Sequence, residues 1–298
     1  MRGTQTWQQE LATLDIQCQA SNSCPGLYNG ERSNPVNYAD YKENHLQVSI
    51  ADRVATVTLD RPEVHNAVNH AMHVGLEKIF RELAHDRDVG AIVLTGNGKS
   101  FCAGGDVKGY GHEDERPVDQ LRGTRYLVQE MVACEAPVIS AVNGTAAGLG
   151  ATIALLSDVI YMADSARIGD THVKMGLVAG DGGTVIWPLL IGPHRAKELL
   201  MSGRLVSGED AAQMGLVNHC VPADELLAQA TGFARELANG PIAAVRWTKM
   251  AINQLLQQSI LNTLNFSVAA EHLSTHTQDM EEAVTAFAEK RDPKFSGH

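Results

Sequence analysis

The sequence predicts an α/β protein with a mostly parallel sheet, and two observations carry this prediction. Short apolar runs that are typical of buried strands, such as "GAIVLTG" and "PVISAVNG", recur along the first two thirds of the chain. Segments with apolar residues at helical spacing lie between these runs. Strands that alternate with helices usually form a parallel sheet that helices cover.

The first ordered elements are expected near Leu46. "LQVSI" and "VATVTL" alternate apolar and polar residues on either side of the turn "ADR", which predicts a β-hairpin. The next segment, "HAMHVGLEKIFRELAHD", predicts a helix with one apolar face. The positions that define this face are Met72, Leu76, Ile79, Phe80 and Leu83.

The predicted secondary structure changes after about residue 192, from alternating strands and helices to mainly helices. Successive helical segments follow with glycine or proline between them, and only "LVNHCV" has the character of a strand. We therefore expect an N-terminal extension over 1–44 that is partly irregular, a core over 45–205, and a helical region over 206–298. Such a helical region packs on the sheet domain or on another subunit.

Composition and charge exclude several classes of protein. The 298 residues are 44% hydrophobic and 20% charged, with a net charge of −11. Because there is no run of lysine or arginine, a nucleic-acid partner is not expected. No segment has the length of a membrane span or the apolar core of a signal peptide. The five cysteines lack the spacing of a disulfide framework or a metal site, so we expect a cytoplasmic protein without a bound metal.

Two glycine-bearing loops follow two of the predicted strands. "CAGGD" follows "AIVLTG", and "NGTAAGLG" follows "PVISAV". Ligands of open α/β sheets bind beyond the carboxyl ends of the strands, where the first amides of a helix have no internal partner. Two such amides that converge form an oxyanion hole. Tight turns explain the same glycines, and neither loop fits a dinucleotide or P-loop pattern.

Several ordered motifs together resemble the crotonase superfamily, the enoyl-CoA hydratase/isomerase family. They include "LDRPEVHNAVN", "AIVLTGNGKSFCAGGDVK", "PVISAVNGTAAGLG", "GLVAGDGGT" and the terminal "FAEKRDPKF", and the resemblance covers about residues 46–295. It implies a ClpP/crotonase-like ββα spiral with a C-terminal helical region that forms trimers or pairs of trimers. It also implies an enzyme of acyl-CoA metabolism, such as that of fatty acids, without a cofactor beyond the coenzyme A of the substrate.

The resemblance assigns roles to individual positions. The backbone amides of Gly105 and Leu149 would form the oxyanion hole for the thioester. Lys290 and Phe295 would complete the CoA pocket of a neighbouring subunit. The residues that would line the bound CoA are Val64, Ala67, Ala103, Asp106 and Val107. Cys102, beside these, is interpreted as a small packed residue, because the motif places no base near it.

The chain departs from the family pattern at both catalytic glutamates. Thr152 and His172 stand at the positions where a typical hydratase carries these acids. Asp181 follows His172 by nine residues across a glycine turn. An imidazole near its own pKa, oriented by a carboxylate, is a good base for activating water or moving a proton. The alternatives are a hydrogen-bonded structural histidine and an aspartate that caps the next helix.

The segment around this pair is also similar to that of 6-oxocamphor hydrolase, a crotonase relative that cleaves a C–C bond in a cyclic β-diketone. His73 falls on one of its active-site histidines. That hydrolase has a histidine where this chain has Leu149, and it does not use CoA. The favoured hypothesis is an acyl-CoA enzyme that performs hydration, isomerisation or C–C hydrolysis. The alternatives are a hydrolase of free β-diketones and a non-catalytic CoA-binding protein.

Overall fold

The computed structural model describes residues 36–106 and 117–298, with the side chains of 117–122 excepted. Tyr38–His298 form one compact unit. This unit begins with a 3-10 helix at Tyr38–Asn44, inside the stretch that was expected to be an extension. Its Tyr41 is buried and donates a hydrogen bond to Glu82 (2.7 Å), so this segment is part of the core.

A six-stranded sheet carries the predicted hairpin at its edge. The hairpin strands β1 (Leu46–Ala51) and β2 (Val54–Leu59) are antiparallel, which confirms the alternation pattern. The remaining strands are parallel to β2. They are β3 (Ala91–Gly96), β5 (Val138–Val142), β7 (Val159–Ala163) and β10 (His219–Val221), in this spatial order.

A second sheet has four short strands in the order β4, β6, β8 and β9. These strands are β4 (Ser100–Cys102), β6 (Thr145–Ala147), β8 (Arg167–Gly169) and β9 (Val206–Ser207). The first three are parallel, and β9 is antiparallel to β8. Sequence reasoning missed β4 and β6, which lie in or beside the two glycine-bearing loops, and β9, which lies in the region expected to be helical.

Consecutive strand pairs place one strand in each sheet, and a helix follows. β3 and β4 precede α2 (Pro117–Ala133), β5 and β6 precede α3 (Leu149–Leu155), and β7 and β8 precede α4 (Gly183–Ser202). This repeating ββα order is the spiral that the motifs implied. The two glycine loops therefore lie at equivalent places in successive turns, after β4 and after β6.

The core confirms the predicted apolar face of α1 (His70–His85). All five side chains that define this face are completely buried. Asn69 caps the helix, since its side chain accepts a hydrogen bond from the amide of Met72. Trp187, on α4, is also completely buried.

Five helices follow β8 and α4. They are α5 (Gly208–Gln213), α6 (Leu226–Asn239), α7 (Ile242–Ser259), α8 (Asn265–Ser274) and α9 (Gln278–Glu289). A short π-type segment, Ile260–Leu264, joins α7 to α8. Within the described ranges, no helix is both long and apolar enough to cross a membrane.

Polar contacts attach α7 to the core. The Nζ atom of the buried Lys249 lies 2.7 Å from Oδ2 of Asp158 and donates to the Ala136 carbonyl (2.8 Å). Asn253, one turn further on, donates to the Val132 carbonyl (2.8 Å). The opposite face of α7 exposes large apolar side chains, among them Trp247, which is 71% exposed.

Candidate active site

The two glycine loops contact each other. Gly104 has φ = +104°, and a Cβ atom there would lie 3.0 Å from the Ala147 carbonyl oxygen and 3.8 Å from the Leu149 nitrogen. Any side chain at this position would thus enter the space between the loops. A Cβ atom at Gly150 would overlap the Cys102 carbonyl oxygen. Both glycines are therefore required for the close approach of backbone to backbone.

Hydrogen bonds hold the first loop on either side of Gly105. The Val68 amide donates to the Gly104 carbonyl (2.8 Å), and the Asp106 amide donates to the Val68 carbonyl (2.9 Å). In a parallel bridge of this kind, the N–H group of Gly105 itself points away from Val68. Leu149 is the first residue of α3, where a helix amide has no intrahelical acceptor. Both amides assigned to the oxyanion hole are therefore in positions to donate to a ligand.

A buried charge cluster lies next to the second loop. The Nδ1 atom of His172 is 2.7 Å from Oδ1 of Asp170, and its Nε2 atom is 3.2 Å from Oδ2 of Asp181. The Thr152 hydroxyl donates to Oδ1 of Asp181 (3.0 Å). All four residues are buried. The structure thus brings His172 and Asp181 together and adds Asp170, a charge beside the predicted pocket that was expected to be solvated and is buried instead.

The charges of the cluster differ from the sequence-based expectation. Burial alone would lower the pKa of His172, but the carboxylates of Asp181 and Asp170 outweigh it and raise that pKa well above 6.5. Burial alone would raise the pKa of Asp181, and the charge of His172 outweighs it and lowers that pKa. The expectation of an imidazole near its own pKa is therefore wrong, because both ring nitrogens face carboxylates. The two carboxylates therefore favour the charged imidazolium form of His172.

Asp181 is not the N-cap residue of the next helix. Gly182 occupies the N-cap position of α4, and no side chain caps that position. The Oδ2 atom of Asp181 is buried and forms an ion pair with Nε2 of His172 at 3.2 Å. The Gly183 amide at the start of α4 also interacts with this carboxylate.

A third acid of the cluster, Glu271 of α8, was missed by sequence reasoning. Its Oε1 atom lies 4.0 Å from Nε2 of His172, and its side chain is 14% exposed. Burial, followed by the charges of Asp181 and Asp170, raises its pKa to about 8, although His172 acts in the opposite direction. Nothing in the local sequence "AAEHL" distinguishes this glutamate from a solvated helix residue; only the docking of α8 brings it to the cluster.

The charge cluster lies beside the second glycine loop. Gly148, the residue before Leu149, has φ = +51°, and a Cβ atom there would lie 3.4 Å from Cε1 of His172. The ring of His172 thus lies close to the backbone just before Leu149.

Four of the residues assigned to CoA binding lie in one group of loops. The buried Asn66 connects these loops, since its side-chain amide donates to carbonyls of Asn97 (2.9 Å) and Ser100 (2.8 Å). The Ala103 amide donates to the His65 carbonyl (3.0 Å). The assigned residues in this group are Val64, Ala67, Ala103 and Asp106.

Arg61 adds a positive charge to this group of loops. Its Nη1 atom donates to the Ala67 carbonyl (2.5 Å) and lies 3.0 Å from Oδ2 of Asp106. The side chains of Arg61 and Asp106 are 13% and 19% exposed, so the pair is mostly buried. These contacts hold the segment before α1 against the loop after β4.

Other assigned residues are not brought to the cluster. His73 contacts Glu77 on its own helix through Nδ1 (2.8 Å) and not the cluster around His172. Lys290 ends α9 in a left-handed conformation, and Phe295 is 47% exposed, so their role in a neighbouring pocket stays a prediction. Val107 lies outside the described residues. Cys102 is buried with a pKa raised by burial to about 12, consistent with a packed thiol.

Asp170, His172 and Asp181 also form a group whose potential metal-ligating atoms lie within 4.8 Å of one another. In this group each ring nitrogen already faces a carboxylate, so the charge of His172 offsets part of the negative charge. The arrangement therefore has the character of an ion-paired cluster, and the absence of a metal cofactor stays a prediction.

Comparison with known proteins places the chain in a family. Residues 49–298 match the family described as Enoyl-CoA hydratase/isomerase. The chain is 34% identical over 245 residues to a probable enoyl-CoA hydratase of Mycobacterium bovis, a match that covers 82% of this chain and 95% of the relative. It is 34% identical over 249 residues to the 1,2-epoxyphenylacetyl-CoA isomerase of Escherichia coli, with coverage of 82% and 95%.

A solved structure has the same fold. The crystal structure of an enoyl-CoA hydratase/isomerase from Mycobacterium paratuberculosis matches with a TM-score of 0.78 and 36% identity, over 81% of this chain and 98% of that one. The chain belongs to the enoyl-CoA hydratase/isomerase family, within the crotonase superfamily. It has the crotonase fold and is an enzyme of that family.

Proposed function

We propose that this enzyme binds an acyl-CoA thioester, forms its enolate in the hole between Gly105 and Leu149, and moves protons through His172 and Asp181. The observation that carries the proposal is the closeness of His172 to Gly148, the residue before Leu149: a Cβ atom at Gly148 would lie 3.4 Å from Cε1 of the imidazole ring. The reaction class is hydration or double-bond isomerisation of an enoyl-CoA. It requires no cofactor beyond the coenzyme A of the substrate.

The two amides supply the electrostatic part of catalysis. As the enolate forms, negative charge develops on the thioester oxygen, and fixed N–H donors stabilise it without reorganisation. One such donor typically contributes about 100- to 1000-fold in rate. The glycines at 104 and 150 support this role, since they allow the loops to approach each other.

The protonation state of His172 favours proton transfer over water activation by a neutral ring. An imidazolium has no free nitrogen lone pair, so it acts first as a donor. Asp170 fixes the ring through Nδ1, which leaves the Nε2 proton as the mobile one. Asp181 faces that nitrogen and accepts or returns a proton.

The experiment is a pair of substitutions, His172→Ala and Asp181→Asn, assayed against a panel of enoyl-CoAs. Both variants are expected to lose about 100-fold or more in kcat, the range typical of proton transfer by a positioned group. His194→Ala and Asp224→Asn change exposed residues of the same types and serve as matched controls. Wild-type turnover in both site variants would contradict the assignment.

A second candidate is hydrolysis of a free cyclic β-diketone, which the direct contact between His172 and Asp181 favours (3.2 Å). A calorimetric titration with CoA separates the two candidates. Micromolar affinity for CoA without turnover of diketones supports the acyl-CoA enzyme. Turnover of diketones without CoA binding supports the hydrolase.

We also propose that the protein assembles as a homotrimer or a pair of trimers. Large apolar side chains are exposed along the last third of the chain, and a second copy of this chain would cover them. They include Trp247, Leu255, Leu261, Phe266 and Leu273. Lys290 and Phe295 would then reach the CoA pocket of a neighbouring subunit.

A further inference from the structure

We propose that Glu271 protonates the α carbon of the substrate enolate. His172 then returns a proton to the Glu271 carboxylate and takes up the proton that Asp181 holds. This inference rests on the proposed acyl-CoA function and assigns the donor that it requires. Neither family glutamate is present, since Thr152 and His172 stand at those positions. Glu271 brings a carboxyl group to the same cluster from a different helix.

The position of Glu271 is fixed by close packing of α8 on the turn that carries Asp181. A Cβ atom at Gly180 would lie 2.6 Å from Cβ and 2.7 Å from Oε2 of Glu271. Only glycine at 180 therefore permits this approach. Thr184 and Ser267 share a hydrogen bond between their hydroxyls (2.6 Å), which attaches the start of α8 to the start of α4.

A second contact attaches the other end of α8. The amide of Val178 donates to the hydroxyl of Ser274 (3.2 Å). Glu271 thus lies between two attachment points, and its carboxyl group is held near Nε2 of His172. The separation of 4.0 Å is longer than a hydrogen bond, as is common before substrate closes a site.

The surroundings of Glu271 determine its protonation. Asp181 and Asp170 face it with negative charge, and His172 faces it with positive charge. Burial and the two carboxylates together keep its proton in place up to about pH 8. A general acid is most effective when its pKa lies near the working pH, which distinguishes Glu271 from the more basic His172.

The steps balance for the addition of water to an enoyl thioester. The water oxygen bonds to the β carbon, Asp181 accepts the proton that water loses, and the C=C electron pair moves to form the enolate. The enolate electron pair then forms a C–H bond at the α carbon with the proton of Glu271, whose O–H bond breaks. The thioester carbonyl is restored, and the oxyanion charge disappears.

His172 closes the cycle. Its Nε2 atom lies between the two carboxyl groups, 3.2 Å from Asp181 and 4.0 Å from Glu271. The ring gives its Nε2 proton to the Glu271 carboxylate and takes up the proton that Asp181 holds. Water supplies every atom that is added, and neither an oxidant nor a reductant is needed.

The test compares wild type with Glu271→Gln, using trans-2-enoyl-CoAs as substrates. The variant is isosteric with the protonated acid and is expected to lose about 100-fold or more in kcat with KM changed less than about threefold. Glu281→Gln changes an exposed glutamate of α9 and is the matched control. A partial reaction gives a second readout, the incorporation of deuterium at the α carbon of a saturated acyl-CoA in D₂O, which the variant should lose.

The pH profile separates proton donation from a structural role. In wild type, kcat/KM should be level up to about pH 8 and fall above it as Glu271 ionises. The variant should lack this fall. If the variant does not fold, the wild-type profile decides, and a profile level to pH 10 overturns the inference.

The experiments distinguish failure of the Glu271 inference from failure of the proposed acyl-CoA function. If wild type turns over an enoyl-CoA and Glu271→Gln does so equally with the same pH profile, the inference is overturned and the proposed function stands. If wild type neither turns over nor exchanges any acyl-CoA, the proposed function fails and the inference fails with it.

Discussion

The hydroxyl group of Thr152 donates a hydrogen bond to Oδ1 of Asp181 at 3.0 Å, inside the buried core. The resemblance implies a glutamate at position 152, so a small hydroxyl replaces an acid and supports a neighbouring carboxylate. A Cβ atom at Gly182 would lie 2.9 Å from Cγ2 of Thr152, so the space here fits threonine closely. Position 152 therefore carries a residue that orients the carboxylate of Asp181, where the family pattern has an acid.

Replacing this threonine tests that role. Thr152→Val keeps the shape of the side chain and removes one hydrogen bond to a buried carboxylate. We expect the free energy of unfolding to fall by about 1–3 kcal/mol, because the Asp181 oxygen remains buried without its donor. Thr285→Val is the control, since its hydroxyl donates only to a backbone carbonyl on an exposed helix face. Denaturant unfolding of both variants measures the difference, and an equal change in the two contradicts the account.

The stability of the protein should depend on Glu271 between pH 4.5 and about 8. The folded state holds the Glu271 proton up to about pH 8, whereas the unfolded chain loses it near the ordinary value of 4.5. The unfolded state thus binds fewer protons in this window, so stability falls as pH rises. The contribution is complete below pH 4.5 and is lost by pH 8, and it amounts to about 5 kcal/mol at most.

Glu271→Gln should not show this loss. The difference in unfolding free energy between variant and wild type should therefore move in favour of the variant as pH rises from 5 to 8. Chemical denaturation at several pH values measures it, with Glu281→Gln as the control for an exposed glutamate. A constant difference across this range means that the folded carboxyl group titrates normally.

The approach of the two glycine loops can be tested at position 104. Gly104→Ala places a methyl group 3.0 Å from the Ala147 carbonyl in a backbone with φ = +104°. The loop has to shift, which moves the Gly105 amide, so kcat/KM should fall about 100-fold. Gly215→Ala is the control, because Gly215 also has positive φ (+80°) and a Cβ atom there meets nothing within 4 Å. Equal kcat/KM values of the two variants would contradict the claim that activity requires the close approach of the loops at position 104.

Assembly can be tested through the exposed apolar residues of the helical region. Phe266 is 78% exposed at the start of α8. Phe266→Glu places a charge in the surface that a second copy is proposed to cover, which should reduce a trimer or hexamer to smaller species. Light scattering after size exclusion measures the mass, and Gln213→Glu, at an exposed position of α5, is the control. A monomeric wild type would remove the assembly proposal.

Much of the fold follows from local patterns in the sequence. The hairpin and the apolar face of α1 could be predicted because period-two and helical spacing act over a few residues. The glycine loops could be predicted because glycine marks sharp backbone turns. The 3-10 helix at Tyr38–Asn44 could not, since its composition is polar and one buried tyrosine attaches it.

The site was predictable in part. His172 and Asp181 were selected from motif positions, and the structure places them in contact. The charge of His172 was predicted incorrectly, because it depends on Asp170, whose side chain turns back to Nδ1. Glu271 lies 99 residues after His172 in the sequence, and only the tertiary docking of α8 brings it near; no local signal marks such a residue.

The most direct test of the central claim is a crystal structure with a bound acyl-CoA analogue. We predict that the thioester oxygen lies about 2.7–3.1 Å from the nitrogen atoms of both Gly105 and Leu149, the distance that an oxyanion hole requires. The α and β carbons should face the cluster around His172. A thioester oxygen that contacts neither amide, or an acyl group directed away from His172, would contradict the account.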